Sequence, residues 1–192
     1  AHTSGDSAIT INDSTQNVLH TFSGVGFDIA EASYYIKRFG FPGNLQIDIC
    51  EWDAVNKVPL DSIGSASVDS LDVASTPKWK KFNFLSPVQS VVGVTYCIVI
   101  SASGTTATDG YEIGSSNPGI NGSSQSWKSN FTDWSELNAD IPFRLYNSIL
   151  WHQYTTTTGK IKKLNNVTSS RAQSFVVPSF TEITGVSVYI RK

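Results

Sequence analysis

The sequence has no methionine, two cysteines, three histidines, and 16% charged residues against 40% apolar ones. Each shortage excludes something. Two cysteines cannot staple a miniature disulfide scaffold. Cys50 and Cys97 are also too far apart, and too far from any histidine, to form a zinc knuckle. A formal charge of -2 leaves no basic stripe to displace counterions from a polyanion, so neither nucleic acid nor an anionic membrane surface is an expected partner. The one basic cluster, Lys160, Lys162 and Lys163, reads as a solvated linker. No apolar run reaches the roughly 18 residues of a membrane-spanning helix, so membrane insertion is not expected, and no signal peptide is visible. A chain starting at Ala1 without methionine reads as processed or as an excised piece of something longer.

Catalytic material is equally scarce. His2 and His152 lie in linker-like segments, and His20 sits beside Phe22 in an expected strand, where a lone histidine is more often a packing or surface residue. Asp48, Glu51 and Asp53 are the nearest approach to a carboxylate cluster, but strand alternation turns Asp48 away from the other two. Glu51 and Asp53 could accept calcium or act as a glycosidase pair. A solvated surface is the simpler reading, since calcium takes about six or more oxygen ligands. We therefore expect no enzyme, no metal and no cofactor.

Serine, threonine, glycine and asparagine fill the space left by charge, which is the profile of an extracellular β-rich surface. Period-2 alternation dominates and no stretch of helical spacing competes with it. Leu45, Ile47 and Ile49 alternate with Gln46, Asp48 and Cys50, and further strands are expected at 27–36, 65–68, 78–84, 95–101, 111–113 and 141–146. The glycines and proline of 39–44 mark a tight connection, and Pro59, Pro77 and Pro87 are placed between strands. Many short strands at this spacing predict an all-β, antiparallel sandwich of jelly-roll type.

The stretch 101–139 reads as long loops at one end of that sandwich, carrying Tyr111, Trp127 and Trp134. Aromatic rings can stack on sugar faces while their polar tips hydrogen-bond, so these three are glycan-binding candidates. Packing is the competing reading, and the stronger one for Trp134. Trp79 shares a strand face with Lys81 and Asn83, opposite Phe82 and Phe84, and joins the candidates as an outward-facing aromatic. Cys50 and Cys97 are either a disulfide, worth about 4 kcal/mol in the chain-entropy model, or two buried thiols. Four sequons mark Asn12, Asn121, Asn130 and Asn166 as N-glycosylation candidates in a host that glycosylates.

The segment 165–192 aligns with 12–38 with one gap at Glu182, pairing identical residues at eight positions. These include Phe175 with Phe22, Phe180 with Phe27, Ile183 with Ile29, Tyr189 with Tyr35 and Ile190 with Ile36. The chain thus reads as a complete repeat at 1–147, a linker at 148–164, and the opening strands of a second repeat, or a donor segment, at 165–192. Phe175, Phe180, Ile183, Val186, Val188 and Ile190 should pack on a neighbouring unit, because two amphipathic strands cannot bury their apolar face alone. Trp151 and Tyr154 flank the linker and are interface candidates as well.

The order of these signals resembles the β-sandwich repeats of phage and viral fibre proteins and of choice-of-anchor-type cell-surface proteins, which are similar to carbohydrate-binding modules. The matching stretches are Phe22 with 29–37, then 40–49 reading Gly-Phe-Pro-Gly-Asn-Leu-Gln-Ile-Asp-Ile, followed by 79–86, 93–101 and 140–146. The resemblance implies a secreted structural or adhesive unit on a cell or virion surface, with copies of itself or adjacent tandem repeats as partners. Strand exchange through the C-terminal segment would assemble such units head to tail into a filament. Its alternative implication is a sugar-binding module that recognises cell-surface glycans.

Overall fold

The computed structural model describes residues 7–116, 126–129 and 133–147, all within one compact unit spanning 1–150. Among these residues the structure is an all-β, antiparallel sandwich of two packed sheets. Its strands are β1 (Ser7–Ile11), β2 (Asn17–Ser23), β3 (Ile29–Phe39), β4 (Leu45–Asp53), β5 (Val58–Val68), β6 (Lys78–Val88), β7 (Thr95–Ala102), β8 (Gly110–Ser115), β9 (Ser126–Ser129), β10 (Trp134–Leu137) and β11 (Phe143–Asn147). One 3-10 turn, Ser70–Asp72, lies between β5 and β6, with Asp69 accepting the Leu71 amide as its cap.

The five-stranded sheet runs β1-β8-β3-β11, with β6 on the other side of β3, and the six-stranded sheet runs β10-β9-β2-β7-β4-β5. Alternation along the strands assigns the core. Ile47 and Ile49 of β4 and Ile98 and Ile100 of β7 point inward, against Ala32, Tyr34 and Ile36 of β3 and Phe82 and Phe84 of β6. The strands expected from the pattern are present, but three placements change.

Pro59 and Pro87 lie within β5 and β6 rather than between strands. Each of these strands is at a sheet edge, where a proline is tolerated. The register of each also shifts at a bulge. The expected loop region 101–139 contains, besides the strand expected at 111–113 (β8), two further strands, β9 and β10, so Trp127 and Trp134 are strand residues. The tight connection after β3 is as expected. Gly40 adopts φ +62°, and a side chain there would strike the Thr108 carbonyl and Asp109.

Candidate functional site

The outer face of the six-stranded sheet carries a second hydrophobic cluster, separate from the core. In register, Trp127 of β9 lies beside Leu19 of β2, and Leu19 beside Val99 of β7. One step along, Thr21 of β2 neighbours Cys97 of β7, which is directly opposite Cys50 of β4. Leu19 and Cys97 are fully buried, and Trp127 and Cys50 are 2% and 4% exposed. Trp52, on the same side of β4 as Cys50, reaches Trp127 with ring centroids 4.5 Å apart, and Trp134 packs at the margin. The sandwich therefore buries apolar side chains on both faces of this sheet around β2, β7 and β4.

The two thiols are unbonded and stand opposite each other on the outer face of the β4–β7 ladder. The neighbouring Cys97 thiol holds Cys50 below the usual thiol range, whereas its role as the partner that stays protonated, together with burial, pushes Cys97 up. Beside them is a polar patch, in which Asp48 accepts hydrogen bonds from Gln46 at 2.8 Å, from Ser62 and from Ser65.

The outer face of the five-stranded sheet is ionic. Trp79 projects outward, as its strand parity requires, next to Tyr35 across the β3–β6 ladder at a centroid distance of 5.9 Å. Its ring is not open to a ligand on both sides, because the Arg144 guanidinium lies 3.9 Å from the centroid. Tyr35 rests over Gly114, where an added Cβ would come within 3.1 Å of its ring. Lys81 bridges Glu31 at 2.9 Å and approaches the Tyr146 ring, and Lys37 pairs with Glu112 at 3.0 Å.

Tyr111 and Trp127, two of the glycan-binding candidates, are buried. Tyr111 is fully buried and donates to the Gly43 carbonyl at 2.5 Å, pinning β8 to the β3–β4 connection. Burial pushes its hydroxyl up to about 12. Neither ring has a free face for stacking, because strand pairing turns both toward neighbouring sheets or side chains. Trp134 is half-buried, in keeping with its packing reading.

Asp53 is occupied in the β4–β5 turn, where its carboxylate accepts the Val55 and Asn56 amides and the Asn56 side chain. Those bonds hold it below the ordinary carboxylate range. Among the described residues, no three His, Cys, Asp or Glu side chains gather closely enough to hold a metal.

His20 faces the core. Its Nε2 lies 2.7 Å from the Tyr34 hydroxyl and its ring 4.2 Å from that of Phe143. Burial pushes its pKa down to about 4, opposed weakly by the Thr21 backbone and Asp140. Asn12 forms a turn, its side-chain oxygen accepting from the Ser14 amide and hydroxyl and from the Thr15 amide.

Asn121, Asn130 and Asn166 lie outside the described residues, as do Trp151, Tyr154, Phe175, Phe180, Ile183, Val186, Val188 and Ile190. Sequence reasoning passed over Trp52, Leu19 and Arg144. Trp52 carried a usable signal, being two residues from Cys50 and so on the same strand face. No protein-family model matches the chain, and comparison with curated proteins and with solved structures likewise found no match.

Proposed function

We propose that this chain is a non-catalytic structural or adhesive module of an extracellular fibre or tandem array, associating with copies of itself or adjacent repeats through 165–192. The observation that carries this reading is what the repeated sequence corresponds to. Residues 12–38 contain β2 and most of β3, each an interior strand of its own sheet. Phe175 and Ile183 correspond to the buried Phe22 and Ile29. Val186, Val188 and Ile190 correspond to Ala32, Tyr34 and Ile36, all buried in the core.

Sequence of this kind is suited to the middle of a sandwich. A strand added only at a sheet edge would leave much of that apolar surface uncovered, so a further module or exchange of the β2–β3 pair between copies fits better. The glycan-binding alternative is less favoured, because the cleft it needs would be lined by Tyr111 and Trp127, which are buried.

The test is the assembly state of the full chain, measured by light scattering and electron microscopy over a concentration series. It is compared with a Val188→Asp, Ile190→Asp double variant. Filaments or oligomers from the parent and none from the variant are expected. A parent that stays monomeric throughout would overturn association through this segment between copies.

A further inference from the structure

We propose that Cys50 and Cys97 are an oxidation site, closing to an intrachain disulfide that clamps β4 to β7 in the interior of the six-stranded sheet. The inference stands apart from the assembly reading and rests on the geometry of the described module. Cys50 and Cys97 are directly opposed in the antiparallel β4–β7 register. Directly opposed residues have Cα atoms about 4.5–5.5 Å apart, inside the roughly 4.4–6.8 Å window of protein disulfides. Their side chains emerge on the same face, in one buried cluster. Closure therefore needs side-chain rotation rather than movement of strands.

The chemistry requires a disulfide oxidant, which a thiol–disulfide buffer supplies. The Cys50 thiolate attacks a sulfur of glutathione disulfide, forming a mixed disulfide and releasing one glutathione thiolate. Cys97 then gives up its proton and attacks Cys50 Sγ, releasing the second glutathione. Two electrons pass to glutathione and one S–S bond forms in the protein. Cys50 is the better attacking group, because the neighbouring Cys97 thiol favours its thiolate.

Trp127 and Trp52 cover the pair, and Cys97 has no exposed surface. The oxidant therefore reaches it before β9 docks against β2, or when that edge of the sheet opens. Closure should be fast during refolding and slow on the folded chain.

The experiment unfolds the reduced full chain and refolds it in a buffer of reduced and oxidised glutathione. The expected product is a monomer lighter by two hydrogens, with no thiol titratable in denaturant and one non-reduced peptide joining Cys50 to Cys97. Its midpoint of thermal unfolding should fall by roughly 10 °C on reduction. A Cys50→Ser chain should show one thiol and no response to reductant. Two free thiols after oxidative refolding, stable glutathione adducts, or a bond linking two chains would each overturn the proposal.

Discussion

Both sheets carry tryptophan on their outer faces, yet the two surroundings differ. On the five-stranded sheet Trp79 is half-buried among Arg144, Lys81 and Glu31. On the six-stranded sheet Trp127 is buried with Leu19 and two thiols, with another indole packed against it at a tilt. The first arrangement is a surface decoration whose charges remain in water. The second is a small additional core. The energetic difference follows from desolvation: screened surface pairs contribute little, whereas apolar area removed from water contributes in proportion to its size.

The sharpest way to break the comparison is substitution of the two indoles. Trp127→Ala should cost about 3–5 kcal/mol in denaturant unfolding, as expected when a buried aromatic is removed from a packed cluster. Trp79→Ala should cost clearly less. Equal losses would mean that the outer cluster is not a second core.

Next in size is a contrast between the two faces of β2. Leu19, on the outer face, has no charge to gain, whereas His20, on the inner face, is buried against Tyr34, Phe22 and Phe143, with Asp140 the nearby acid. Its folded pKa, about 4, lies below the usual 6.5, so the unfolded chain binds the proton more readily. Stability is retained above about pH 6.5 and lost as pH falls from there toward 4, by about 3 kcal/mol in all. Denaturant titrations across that window should show the slope in the parent chain and not in His20→Gln.

The smallest effect sharpens the ionic side of the comparison. Arg144→Ala removes the cation over Trp79 and should cost about 0.5–1 kcal/mol, in part sensitive to salt. The change should also leave Trp79 more accessible to an aqueous fluorescence quencher. A loss as large as that from Trp127→Ala would place the Trp79 surroundings in the same class as the buried cluster.

Much of the sandwich was legible in residue order. The alternation through Leu45, Ile47 and Ile49 assigned a core face to β4, and the parity of Trp79 with Lys81 correctly turned that indole outward. The strands β9 and β10 were not legible, because four residues in a serine-rich stretch carry too little periodicity to stand out from a loop. They are strands through pairing, β9 against β2 and β10 against β9. Pro59 and Pro87 misled for a related reason, since whether a proline is tolerated in a strand depends on whether that strand has a neighbour on its amide side.

By itself, the sequence determined the all-β class, the inward and outward faces of the clearest strands, and the eight identical positions at which 165–192 aligns with 12–38. These are properties of local alternation and of similarity along one chain, so no distant contact is needed to see them. Only the tertiary structure decided that residues 19, 50, 52, 97 and 127 share one surface, that Tyr111 and Trp127 are buried, and that the two cysteines stand opposite each other. The physical reason is that antiparallel pairing brings together residues remote in sequence. Each strand's pattern shows which faces it has, but not which strand will lie beside it.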